Sequence, residues 1–201
     1  MQRKDEIMKS PQRDTQRYYY IKGKDIGVAR EEPADRRLSY ENWLDPVMQR
    51  NFNYRPNWAS FEEFCAFFDD PNRPPNRFIA VVVRLADEQP VGRLSLSPEG
   101  REPDLGISIY RQFRGLGYGA EAFRLAVDYI FQNMDLHYIV AGAREDNKAS
   151  IRMLEKIGFK RDPDRDEEYE DNFGEGRVQW PEFRLDRSDW SGSQTDRINK
   201  R

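Results

Sequence analysis

Cysteine and histidine are almost missing from this 201-residue chain, which has one of each, Cys65 and His137. A lone cysteine excludes an internal disulfide and any zinc site built on thiolates. With no His/Cys/Asp cluster, no metal is expected. Long apolar runs are missing too. The longest, Phe78 to Val83, falls far short of the roughly 20 residues a membrane-spanning helix needs. No basic start followed by an apolar block is present, so no secretory signal is read. Nor does charge of one sign dominate. A net charge of −3 gives no general attraction for nucleic acid or an anionic membrane. These absences lead to the expectation of a single cytoplasmic domain of ordinary size.

What is present has an uneven distribution. Apolar residues are few (37%) and charged ones many (34%), yet 13% aromatics argue for a compact middle between polar ends rather than general disorder. Residues 1–16 are polar and aperiodic and read as an arm. Residues 17–189 read as one domain, and 190–201, polar with Gly and Ser, as a disordered tail. Within the domain, Tyr18 to Lys22 and Ile26 to Ala29 predict a hairpin around Gly23-Lys24-Asp25. Asp45-Pro46 divides a helical pattern holding Tyr40, Trp43, Leu44 and Val47. Ser60 and Glu63 form a capping box ahead of the stripe Phe61, Phe64, Cys65, Phe68, which places Cys65 in the core. Phe78 to Leu85, Val91 to Ser97 and the strand ending at Tyr110 follow one another through short turns, which predicts an antiparallel meander.

The order then changes. Leu105 to Tyr110 leads into Arg111-Gln112-Phe113-Arg114-Gly115-Leu116-Gly117-Tyr118-Gly119-Ala120, and a helical pattern leads out from Glu121 to Met134. Strand, alternating glycines and helix is an arrangement that holds phosphate. Backbone N–H groups at glycine approach an anion closely, and the helix start adds unpaired N–H groups and a positive dipole end. A Walker loop would end Gly-Lys-Ser/Thr, and a dinucleotide loop would read Gly-x-Gly-x-x-Gly. Neither fits. Leu136 to Ala141 predicts the next strand, parallel to the one before the loop because a helix lies between them. A second helix spans about Asn147 to Ile157 with Gly158 closing it. Tyr169 and Arg177 to Leu185 read as a final hairpin.

Two stretches together carry a family resemblance. Arg114-x-x-Gly117-x-Gly119, overlapped by Gln112-x-x-Gly115-x-Gly117, resembles the pyrophosphate loop of the GNAT acetyltransferases. Asn147-Lys148-Ala149-Ser150, running on to Gly158-Phe159, resembles the helix that follows it. Ser150, with Trp43-x-Asp45-Pro46-x-Met48, is similar to the RimJ/RimL branch that acetylates ribosomal proteins. The resemblance implies an α/β (α+β) GNAT fold: a mixed, mostly antiparallel sheet of about six to seven strands with one splayed parallel pair, flanked by helices.

It also implies an N-acetyltransferase that uses acetyl-CoA. The thioester arm would lie along Ile109, Tyr110 and Arg111. The pyrophosphate would lie on the amides of Arg114, Gly115, Leu116, Gly117, Tyr118, Gly119 and Ala120, with the Arg114 side chain adding a charged contact. Asn147 and Ser150 would lie near the arm and the sulfur, although both also suit an ordinary helix start. The family often supplies a tyrosine acid at the position held here by Leu154, which leaves Ser150 or water to protonate the thiolate. For a base that deprotonates the amine, Glu31-Glu32 and the run Glu167 to Glu170 are available, with Glu168 and Glu170 preferred. The acidic segment Asp162 to Asp171 would attract a cationic acceptor such as a polyamine, an aminoglycoside or a protein N-terminus. Exposed strands beside the tyrosine-rich start permit a homodimer. A competing reading is an acyl-CoA-binding module of this fold that no longer transfers.

Overall fold

The computed structural model describes residues 17–174 and 176–192. The arm over 1–16, and the tail from 193 on, lie outside the described residues. Trp190, assigned to the tail from sequence, packs on the core and donates its indole N–H to Asp128 Oδ1 at 2.8 Å.

The meander forms as expected. Strands β1 (Tyr19–Lys22), β2 (Ile26–Arg30), β3 (Asn76–Arg84), β4 (Gln89–Pro98) and β5 (Leu105–Ile109) lie side by side in chain order, every pair antiparallel. The unbroken apolar run in β3 has a simple cause. Phe78, Ala80 and Val82 join the main core, while Val81 and Val83 pack with Ala29 and Tyr19 on the opposite face, so both faces of the strand are covered.

Helix α4 (Tyr118–Asn133) lies against the main-core face. It buries Ala122, Leu125, Ala126 and Ile130, as its three- and four-residue spacing predicts, and also Phe123, Val127 and Phe131. Each large buried side chain contributes on the order of 2 kcal/mol, so packing fixes where the helix begins. Three short helices, α1 (Arg36–Trp43), α2 (Pro46–Asn51) and α3 (Phe61–Phe68), connect β2 to β3. Asp45 separates the first two by accepting the Val47 N–H at 3.3 Å. Cys65 on α3 is half-buried rather than fully in the core; Phe64 is the buried residue of that helix.

The second half departs from a continuous sheet. Strand β6 (Tyr138–Gly142) follows α4, then come α5 (Lys148–Ile157), β7 (Lys160–Arg161), β8 (Glu167–Glu170), β9 (Arg177–Trp180) and β10 (Glu182–Asp186). Strands β6, β10 and β7 form a separate three-stranded sheet, and β8 pairs only with β9. The final stretch, read from sequence as one arm of a hairpin, is two strands. Pro181 divides it, since proline has no N–H for a ladder. The parallel partnership of β5 and β6 reduces to one bridge, Asp104 with Val140, where the Val140 N–H donates to Pro103 O at 3.0 Å. Beyond that rung no ladder joins the two strands, and a cavity opens between them.

Candidate active site

That cavity has a volume of about 290 Å³. One wall is β5, from Leu105 to Ile109, and another is Ala141, Gly142 and Ala143 at the end of β6. The glycine loop and the first turns of α4 and α5 close one end, and Met48 and Phe52 from α2 and its end lie across it. Gly115 and Gly117 have φ of 78° and 85°, the left-handed region that glycine enters without strain. A β-carbon at either would meet nothing, so the backbone conformation, not crowding, calls for glycine there. Gly117 caps α4, and the first bond into the helix runs from the Glu121 N–H to Gly117 O at 3.4 Å. The N–H groups of Tyr118, Gly119 and Ala120 therefore have no intrahelical acceptor.

Of the residues expected to hold a cofactor, Ile109, Arg114, Gly115, Gly117, Tyr118, Gly119, Asn147 and Ser150 line this cavity. Tyr110, Arg111, Leu116 and Ala120 do not. Tyr110 turns inward: its N–H donates to Val91 O at 2.9 Å, and its buried hydroxyl lies 3.3 Å from Ser39 Oγ. Burial pushes that phenol up to about 12. The Arg114 side chain is also turned back into the fold. Its Nε donates to Ile109 O at 2.9 Å, and Nη1 lies 2.6 Å from Asp45 Oδ2. The guanidinium thus ties the loop to the strand before it. Asn147 is the N-cap of α5, its Oδ1 accepting the Ser150 N–H at 3.3 Å. Leu154 is buried in the same cavity wall.

A second, wider cleft of about 720 Å³ meets the first at Phe52 and Trp180, which line both. Five carboxylates line it (Glu102, Asp104, Glu167, Glu170, Glu182) against one guanidinium, Arg165. Arg165 is paired with Glu102 at 2.9 Å. Desolvation and the neighbouring Asp104 and Glu167 carboxylates push the half-buried Glu182 carboxyl up to about 8. Enclosure by the cleft walls, then Glu167, raises Asp104 to about 6, although its carboxylate is open to cleft water, which screens part of that effect.

The preferred bases from sequence separate here. Alternation along β8 places Glu167 and Tyr169 toward the cleft. Glu168 is on the other side, its carboxylate 2.5 Å from Arg177 Nε and accepting from Gln179 Nε2 at 2.6 Å, and it does not line the cleft. Glu170 lines the rim, and its carbonyl accepts the Asn53 amide at 2.8 Å. Glu31 is ion-paired with Arg93 at 2.7 Å, and the Glu32 N–H is held by Asp35 at 2.9 Å. Asp104 and Glu182 were missed because neither belongs to an acidic run. Pairing between strands distant in sequence brings them together.

The loop of the β8–β9 hairpin is tied to Arg144 after β6 and to Asn53 after α2. Buried Arg144 donates to both oxygens of Asp171, each at 2.9 Å, and lies 3.2 Å from Asp146. Asn172 donates from its backbone to Asn53 Oδ1 at 3.0 Å and from its amide to Asn53 O at 2.6 Å. Among the described residues, no helix is long and apolar enough to cross a membrane.

Sheet order, split strand pair and glycine-capped helix define a class, and residues 28–160 match the acetyltransferase (GNAT) domain. The chain belongs to the GNAT family and is an acetyl-CoA-dependent N-acetyltransferase. It is 26% identical over 137 residues to the uncharacterized N-acetyltransferase p20 of Bacillus licheniformis, covering 65% of this chain and 75% of that protein. The fold is similar to a spermidine N-acetyltransferase from Vibrio cholerae in complex with CoA and spermine: TM-score 0.70, 18% identity, covering 82% of this chain and 97% of the other. It is also similar to Mycobacterium smegmatis RimJ in complex with CoA-disulfide: TM-score 0.64, 14% identity, covering 84% and 85%.

Proposed function

We propose that the protein acetylates the primary amine of a cationic acceptor that enters through the acidic cleft, with the donor held in the cavity between β5 and β6. The observation that carries this reading is the meeting of the two spaces at Phe52 and Trp180: one has free helix-start amides, the other a surplus of carboxylates. The donor set suits coenzyme A. The amides of Gly115, Gly117, Tyr118 and Gly119 match a pyrophosphate, and the apolar gap beside Ile109 matches a pantetheine arm. When bound, acetyl-CoA supplies an acyl group activated by a thiol leaving group.

The chain's own residues do the rest. Ile109 offers its backbone N–H on the inner edge of β5, its carbonyl already accepting from Arg114. Arg114 acts by fixing the loop rather than by reaching outward, since Asp45 and Ile109 already engage its guanidinium. Asn147 sets the first turn of α5 and so places Ser150 in the cavity wall. Ser150 or a water donates the proton to the leaving sulfur, because Leu154 has no proton to give. Glu167 and Glu170 draw the positive charge of the acceptor into the cleft.

A linear polyamine fits this charge pattern best, since several carboxylates spaced along one cleft can hold several ammonium groups. A second reading, a protein N-terminus, rests on Ser150 and the Trp43-x-Asp45-Pro46-x-Met48 segment, both similar to the RimJ/RimL branch. Thiol release from acetyl-CoA should be followed across spermine, an aminoglycoside and basic N-terminal peptides, with mass spectrometry of the products. The polyamine reading expects a single or double acetyl addition on spermine. Acetylation of peptides alone would replace it with the second reading, and no product on any cationic amine would overturn both.

A further inference from the structure

A carboxylate that no sequence pattern singled out occupies the junction of the two cavities. Glu182 opens β10, and its register partner on β6 is Gly142. Gly142 belongs to the wall of the donor cavity, and Glu182 to the wall of the acidic cleft. A β-carbon built on Gly142 would collide with Glu182 Oε1 and with Trp180 Nε1. The missing side chain at Gly142 is therefore the space into which the Glu182 carboxylate and the Trp180 indole reach. Among the described residues no protein group donates a hydrogen bond to the Glu182 carboxylate, whereas its backbone is fixed on both sides. Its N–H donates to Asp166 Oδ1 at 3.0 Å, and its carbonyl accepts from the Asp162 N–H at 2.9 Å. The carboxylate is thus held in place but left chemically available.

We propose that Glu182 is the base that takes a proton from the acceptor ammonium, resting on the amine-acetylation reading above. The proton count is complete. An ammonium R–NH3+ gives one proton to the Glu182 carboxylate, and the neutral amine's lone pair forms the bond to the thioester carbonyl carbon. The carbon–sulfur bond breaks, the second amine proton reaches the sulfur through Ser150 or water, and Glu182 returns its proton to solvent. The products are the amide, the free thiol and one proton.

The surroundings support this role. The charged groups facing Glu182 are Asp104 at the foot of β5, Glu167 on β8, and Arg165 and Asp166 in the turn before it. Desolvation first, then all three carboxylates against the opposing Arg165, moves its carboxyl to about 8. An alkyl ammonium loses its proton near 10.4 and an ordinary glutamate near 4.3. Raising the base closes more than half of that gap, which lowers the uphill proton transfer. The raised value favours the protonated form of Glu182 in the free protein, and an arriving cation favours its charged form.

Calorimetry at pH 7 in buffers of different ionisation enthalpy tests this without turnover. Spermine binding to the wild type is expected to release a proton to the buffer, and binding to Glu182→Gln to release none. In steady state, Glu182→Gln should lower kcat by about 10²-fold, leave the KM for acetyl-CoA unchanged, and move the rising limb of kcat/KM up to the amine's own pKa. Glu182→Asp, which keeps the charge and withdraws it by one methylene, should keep the proton release and lose much of the rate. Unchanged proton release with superimposable pH profiles in Glu182→Gln would overturn the proposal. A wild type that acetylates no amine would instead overturn the reading beneath it.

Discussion

Arg144 holds Asp171 by both arms of its guanidinium, 2.9 Å at each oxygen, and the Arg144 side chain is only 3% exposed. This pair joins the end of β6, where Ala143 lines the donor cavity, to the hairpin that walls the acidic cleft. First the Arg144 contact, then the Phe173 N–H, hold the Asp171 carboxyl down at about 2. A folded-state value below the unfolded value near 3.9 stabilises the fold at higher pH and ceases to do so as pH falls from about 4 toward 2. Asp171→Asn is expected to lower Tm by several degrees at pH 7 and to flatten the loss of stability over that acid window. Thermal unfolding from pH 2 to 7 measures both.

Gly142→Ala places a methyl group where Glu182 and Trp180 meet. Crowding of this kind costs about 1–3 kcal/mol when neighbours must shift. The side chains that must give way belong to the junction, so kcat should fall by at least about tenfold for an effect of this size. Calorimetry and steady-state kinetics on one preparation separate the two effects.

Gly117→Ala tests the loop alone. The position has open space but φ of 85°, so an added methyl group meets no neighbour and only strains the backbone, by about 1–2 kcal/mol. Relaxing that strain moves the start of α4. The expected outcome is a rise of about tenfold or more in the Kd for coenzyme A, read by calorimetry, with the acidic cleft unaltered.

Glu167→Gln leaves the fold untouched, because this side chain is exposed in the cleft. If the cleft gathers cations, KM for spermine should rise severalfold, with a smaller fall in kcat because Glu182 loses one of the charges that raise it. Raising salt from 50 to 500 mM should weaken the wild type toward the variant, since screening removes the same attraction.

Ser150→Ala keeps the Asn147 cap, which uses the Ser150 backbone N–H. A drop in kcat of about 10²-fold with unchanged coenzyme A affinity would mark the hydroxyl as the proton donor. An unchanged kcat would leave that role to water.

Local chemistry made much of this readable in the chain itself. Positive-φ glycines before an amphipathic helix and an Asn147 cap are settled by neighbours a few residues away, and the apolar run of β3 is plain in composition alone. What escaped was non-local. Pro181 divides what reads as one strand, and only the pairing of β10 with β6 places Glu182 opposite Gly142. The direction of Glu168 depends on a single-residue register, since shifting a strand by one residue exchanges its faces. The engagement of Arg114 by Asp45, 69 positions earlier in the chain, lies beyond any local pattern.

The single rung between Asp104 and Val140 also has a cost that the protein carries until it meets its donor. Past that rung, the inner edges of β5 and β6 present backbone amides and carbonyls with no strand between them. An open edge is elsewhere an invitation to aggregate, but this one faces an internal cavity. A slender molecule with amides of its own can act as the absent strand. Donor binding would then raise Tm by mass action and slow hydrogen exchange at residues 105–109 and 138–142 together, which makes the protein a folding sensor of its own substrate.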